Sequence, residues 1–206
     1  MAAFSIAYTQ YIQPWEGGYA WIDGDSGGET YAGIARNYNK QWRGWIAIDF
    51  EKHKRKVDRL PHNSIVPGVQ GMVNEYYKHL WDKYGFDFIK SQPIANILFD
   101  FAVNSGSGNL VKLLGQIFKG VNGLPALIGA INADKNPDAL HDTIKAMRVK
   151  FYQDIVKAKP SQEKFLRGWL NRINSFPNMS ALKIALPLVL VFVVTVIILL
   201  SLNGKP

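Results

Sequence analysis

Ile94-Ala95-Asn96-Ile97-Leu98-Phe99-Asp100-Phe101-Ala102-Val103-Asn104 is apolar at nearly every position. A helix of this composition belongs in the centre of a core, because a helix that is apolar almost all round is stable only when buried. Ser105-Gly106-Ser107-Gly108 breaks it, and Asn109 is placed to cap a further helix through Phe118. On the N-terminal side, Val69, Met72, Val73, Tyr76, Leu80 and Trp81 align at helical spacing over 69–84. Phe4, Ala7, Tyr8, Tyr11, Ile12 and Trp15 form a similar stripe, which Gly17-Gly18 stops because glycine readily takes the left-handed conformation at a helix end. Further helical pieces are expected over 124–132, over 138–157 with Pro137 opening the first turn, and over 165–173. No regularly spaced β-rich run occurs. The fold class is therefore mainly α, with at most a small β-hairpin within residues 19–35, where Gly, Asp, Ser and Thr dominate.

The 37–67 stretch carries the Trp42 and Trp45 pair and a charge run from Glu51 to Arg59, whose default meaning is a solvated helix face. Its tryptophans suit either sugar stacking in a groove or a packed surface excursion. The chain has a formal net charge of +8, which points to an anionic partner. Nucleic acid is not favoured, since no helix-turn-helix or aromatic-basic stacking motif accompanies the charge. Without cysteine there is neither a disulfide framework nor a thiol nucleophile. His53, His62, His79 and His141 lack metal-ligand spacing, and no metal or cofactor is implied.

Beyond Pro177-Asn178 the composition changes. Ile184–Leu200 is apolar throughout except for Thr195, and seventeen residues at 1.5 Å rise give roughly 25 Å, close to the thickness of a hydrocarbon layer. A transmembrane helix over 181–202 is expected, after a linker at 176–180 and before a tail at 203–206. The expected arrangement is a single-pass C-terminal anchor, with no N-terminal secretion signal.

Glu16 stands at a helix end beside Trp15, where shielding from water would raise a carboxyl pKa toward what a general acid needs. Asp25 and Thr30 follow in the polar loop. An acid facing a second carboxylate and a water-positioning hydroxyl is the set used in glycosidic bond hydrolysis, although a helix cap and a turn residue would give the same spacing.

Glu16-Gly17-Gly18-Tyr19 followed by Asp25-Ser26-Gly27-Gly28-Glu29-Thr30-Tyr31-Ala32-Gly33-Ile34 resembles the N-terminal signature of glycoside hydrolase family 108, a group of lysozyme-like N-acetylmuramidases. The likeness continues through Phe99–Gly106, Arg148 with Phe151-Tyr152, and Phe165–Arg172. It implies a lysozyme-like helical domain over 1–175, with a catalytic part at 1–108 and a peptidoglycan-binding-like part at 109–175. It also implies that Glu16 is the general acid on the β-1,4 bond of peptidoglycan glycan strands, with Asp25 and Thr30 opposite it. Tyr19, Tyr31 and Asn104 become substrate-binding candidates, while Asp100 and Asn104, one turn apart, suit bracing of the Glu16 helix through buried hydrogen bonds better than contact with substrate. The sequence departs from the family at Val121-Asn122-Gly123-Leu124-Pro125-Ala126, where a different turn and helix start are usual.

An anchored muramidase serving wall lysis or remodelling, through phage-like or secretion machinery, is thus the leading expectation. A catalytically idle, membrane-tethered peptidoglycan-binding or assembly module is the alternative.

Overall fold

A computed structural model of the chain describes residues 1–23 and 27–181. These form two compact units, Met1–Asn132 and the part beginning at Ala133.

In the first unit, α1 (Phe4–Ala7) runs into a π-helical turn (Tyr8–Ile12), closed by the Gln13 N–H donating to the Tyr8 carbonyl at 2.8 Å. The wider turn ends the regular α-helix expected through Trp15, so Ala7, Tyr8 and Ile12 are buried while Trp15 is 40 % exposed. Next come β1 (Tyr19–Ala20), β2 (Thr30–Tyr31) and β3 (Ile34–Ala35), a three-stranded antiparallel sheet in sequential order. The expected hairpin has thus gained a third strand. Helices α2 (Gly44–Arg55), α3 (Val69–Lys83), α4 (Gln92–Ser105), α5 (Ser107–Ile117) and α6 (Leu124–Ala133) follow, with a 3-10 turn at Phe86–Phe88.

Helix α4 is the core of this unit. Every residue from Ile94 to Ala102 is buried, and α1 and α5 pack on it. Phe99 touches Phe4, Trp81 and Phe86 edge-on, with ring centroids 5.1–6.2 Å apart. On α3 the buried stripe is Val69, Val73, Tyr77 and Trp81, one step round from the expected stripe, whose Met72, Tyr76 and Leu80 lie half-buried at its edge. Asn109 does not cap α5. That helix starts two residues earlier, after Gly106 at φ 85°, and the Asn109 amide donates back to the Ser105 carbonyl at 2.8 Å.

In the second unit, α7 (Pro137–Ala158) begins at Pro137, where Asn136 Oδ1 accepts the Ala139 N–H at 3.2 Å. A 3-10 turn (Pro160–Gln162) leads to α8 (Glu163–Asn174), and Tyr152 stacks on Trp169 with centroids 4.9 Å apart. The chain after α8 returns to α7. The Asp142 carboxylate accepts the N–H groups of Met179 and Ser180 at 2.8 and 3.0 Å, and Lys145 donates to the Phe176 carbonyl at 2.5 Å.

Among the described residues no helix is long and apolar enough to cross a membrane. The apolar run Ile184–Leu200, on which the transmembrane expectation rests, lies outside the described residues, as does Asp25.

Candidate active site

Four segments of the first unit converge on Glu16. The π-turn delivers it, with the Glu16 N–H donating to the Ile12 carbonyl at 3.2 Å. Immediately afterwards the chain passes between two others. Tyr19 exchanges backbone hydrogen bonds with the 63–64 segment, its N–H donating to the Ser64 carbonyl at 2.9 Å and its carbonyl accepting the Asn63 N–H at 2.7 Å. On the other side, the Ala32 N–H donates to the Gly18 carbonyl at 3.1 Å. This explains Gly17-Gly18, whose backbone is not left-handed. A Cβ on Gly18 would lie 2.3 Å from the Ser64 carbonyl oxygen, and one on Gly17 would lie 2.7 Å from Asn63 Oδ1. The glycines are needed for close approach, not for a helix-ending conformation.

The two-residue turn between β2 and β3 supplies the seat for the carboxylate. Ala32 and Gly33 both have positive φ, 47° and 75°, as a type I′ hairpin turn requires. A Cβ on Gly33 would lie 2.1 Å from Glu16 Oε2 and 2.8 Å from Tyr77 Oη. The Glu16 carboxylate therefore rests directly on the Gly33 backbone. Tyr77, reaching up from α3, fixes the turn by donating its hydroxyl to the Ala32 carbonyl at 2.7 Å.

Half-buried Glu16 opens on a groove of about 390 Å³ lined also by Tyr8, Gln13, Gly17, Gly18, Tyr31, Ala32, Asn63, Ile65 and Gln70. The Gln70 amide donates to the Tyr8 hydroxyl at 3.0 Å. Burial raises the Tyr8 pKa; the Gln70 bond opposes this, and the Glu16 charge adds to the rise, so the phenol stays protonated beside the carboxylate. Glu16 thus faces an aromatic and amide wall made by Tyr8, Tyr31 and Gln70. Trp15, expected to shield it, is exposed and does not line the groove.

The other expected site residues are dispersed. Tyr31 lines the groove, and its hydroxyl accepts the Val66 N–H at 2.9 Å. Thr30 pairs with Ala20 and Ala35 in the middle strand; side chains alternate across a strand, so it faces away from Tyr31 and does not line this groove. Tyr19 is fully buried, with its ring beneath Lys52 and its hydroxyl pKa raised by burial and by Glu29. A buried ring of this kind has no surface for a glycan. Asn104 is half-buried near the end of α4 and also lies off the groove, and Asp100 is completely buried in α4. Trp45 is buried under Arg36, whose guanidinium sits 4.4 Å from its ring, and Trp42 packs edge-on against it, so the pair serves packing first.

A charge cluster locks the sheet to α2. Glu29, 5 % exposed, pairs with Arg36 and Lys52 at 2.5 Å each, and Arg36 also forms a two-pronged pair with Asp49 at 2.7 and 3.0 Å. Burial works to raise the Asp49 pKa, but Arg36 and Lys52 outweigh it and hold the carboxyl below its ordinary value. Among the described residues no group of three or more His, Asp or Glu side chains is placed to hold a metal ion.

Sequence reasoning missed Tyr77, Gln70, Asn63 and the steric role of Gly33. Tyr8 was visible, but only as one member of an apolar stripe.

Residues 9–106 match the family model Glycosyl hydrolase 108, and residues 114–174 match the Predicted Peptidoglycan domain. The second match includes the Val121–Ala126 departure. No curated protein matches the chain. Among solved structures, SagA of Brucella abortus superposes with a TM-score of 0.57 at 19 % identity, covering 87 % of this chain and 96 % of that one. That likeness concerns the fold, which is mainly helical with a small antiparallel sheet, as in lysozyme-like proteins. The two family matches support glycoside hydrolase family 108 and indicate a peptidoglycan-related hydrolase.

Proposed function

We propose that the chain is an N-acetylmuramidase with Glu16 as its general acid, tethered to a membrane by Ile184–Leu200. The observation that carries this reading is the seat of Glu16, a carboxylate resting on a side-chain-free Gly33 and facing an open groove lined by tyrosines and amides. Saccharides are bound by such surfaces, since tyrosine rings pack on sugar faces while amides hydrogen-bond to hydroxyl and N-acetyl groups.

In the reaction, Glu16 gives its proton to the glycosidic oxygen as the bond to the anomeric carbon of N-acetylmuramic acid breaks. Water attacks that carbon, passing its proton to a second carboxylate. Asp25 is assigned that role, on the strength of the Glu-Gly-Gly-Tyr and Asp-x-Gly-Gly-x-Thr motifs. The 114–174 part holds the wall while the 9–106 part cuts.

The test is turbidity loss of purified peptidoglycan by the full chain in detergent, beside Glu16→Gln, with analysis of the new reducing ends. Clearing by the wild type with N-acetylmuramic acid at the reducing ends, and a loss of about 10²–10⁴-fold in Glu16→Gln, is the expected result. Sedimentation with the wall without clearing by either protein would leave a tethered binding module and sink the hydrolase.

A further inference from the structure

We infer that the exposed face of α2 is a docking surface for an anionic lipid bilayer. The inference rests on the proposed membrane tether and adds a second contact to it. Ile46 and Phe50, one helical turn apart, are 74 % and 68 % exposed. With Ala47, Val66, Pro67 and Met72 they line an open depression of about 570 Å³. Two such large apolar side chains, adjacent and facing water, are unusual on a helix whose opposite side, with Trp45 and Ile48, is fully packed.

The charges around this patch select the partner. Arg43 at one end of the depression and Lys54 at the other share its face, and the Lys54 side chain is 68 % exposed. Residues 40–59 carry seven lysines and arginines against three carboxylates. Of these carboxylates, Glu51 alone borders the patch, and it is paired to Arg55 at 2.6 Å and to Lys54 at 3.9 Å; Asp49 is paired to Arg36. An apolar centre with basic ends matches the boundary between acyl chains and anionic headgroups. A glycan fits poorly, because apart from those charged groups the lining is aliphatic and aromatic, without a neutral amide or hydroxyl.

Proximity favours the contact. Nine residues separate the end of α8 at Asn174 from Ile184, at most about 30 Å of chain, so an inserted span holds the protein at high effective concentration near the bilayer. Weak docking then suffices. The 63–67 segment is shared, with Asn63 and Ile65 on the catalytic groove and Val66 and Pro67 on the α2 face. Docking therefore brings that edge of the groove to the headgroup layer.

The chain contains no cysteine, so single-site labelling is clean. Full-length Ile46→Cys carrying an environment-sensitive fluorophore is reconstituted in vesicles of phosphatidylcholine, with and without phosphatidylglycerol, beside a control label at exposed Lys112→Cys on α5. The expected result is a blue shift at position 46, quenched by lipid-borne nitroxide, in anionic vesicles only, with no change at position 112. High salt reverses it, and adding Arg43→Glu with Lys54→Glu lowers the docked fraction by roughly tenfold or more. Failure of the chain to float with either vesicle would overturn the tether and, with it, this inference. Flotation with position 46 still in water in anionic vesicles overturns the docking alone. Burial of position 46 in detergent as much as in vesicles assigns the face to a protein contact and equally overturns it.

Discussion

Replacing Gly33 by alanine separates the seat of Glu16 from the general stability of the sheet. The new Cβ would stand 2.1 Å from Glu16 Oε2 and 2.7 Å from its carboxyl carbon. Ordinary contact between such atoms needs somewhat more than 3 Å, so the carboxylate must withdraw by roughly 1 Å, a misplacement that costs on the order of 10²-fold in catalysis. That corresponds to about 2.7 kcal/mol of transition-state stabilisation. Alanine at φ 75° adds a backbone cost of about 1–2 kcal/mol, which lowers the melting temperature by roughly 2–8 °C but leaves the protein folded. Gly68→Ala is the matched control, because Gly68 has φ 79° and nothing lies within 4 Å of its Cβ position. Both variants carry the backbone cost, and Gly33→Ala should lose about 1–2 kcal/mol more because its Cβ also comes within 2.8 Å of the Tyr77 hydroxyl that holds the turn, which circular dichroism melts measure. In the turbidity assay only Gly33→Ala should lose kcat, with KM little changed. Activity of Gly33→Ala within about threefold of Gly68→Ala would refute the assignment of Gly33 as the seat of the acid.

Other expectations follow from the same geometry. Tyr77→Phe removes a buried hydroxyl from the Ala32 carbonyl and should cost about 1–2 kcal/mol in denaturant unfolding, with a further loss of kcat as the turn under Glu16 loosens. Glu29→Gln leaves Arg36 and Lys52 without their shared carboxylate and should destabilise by about 3 kcal/mol, a larger effect than Asp49→Asn at the exposed side of the cluster. For Asp142, burial works to raise the pKa, but the Ser180 and Met179 N–H donors overcome it and hold the carboxyl down at about 2. The folded value is below the unfolded one, so the clamp contributes fully above about pH 4 and is lost as pH falls toward 2. Melts of wild type and Asp142→Ala should therefore differ at neutral pH and converge near pH 2.

The apolar run around Phe99, the stripe from Phe4 to Ile12 and the breaks at glycine and proline determined by themselves that the chain is helical, and roughly where each helix lies. They could do so because helical periodicity and breaker residues are local properties, readable from neighbours three or four positions apart. The Glu16 motif was legible for a similar reason, as a carboxyl at a helix end followed closely by a glycine-rich loop. Packing decided the rest. The π-turn that ends the first helix early depends on how Tyr8 and Ile12 fit the core, and no propensity announces it. The third strand depends on the Ala32-Gly33 turn, which Tyr77 holds from forty-five residues away. Gly17-Gly18 looked like a conformational stop, yet it is a close approach to Asn63 and Ser64 that only folding creates. The groove likewise joins Tyr8, Tyr31, Asn63 and Gln70 from four separate segments. A sequence records which side chains each segment carries, but distances between segments arise only when their apolar faces are buried together, and it is those distances that place Glu16 on Gly33.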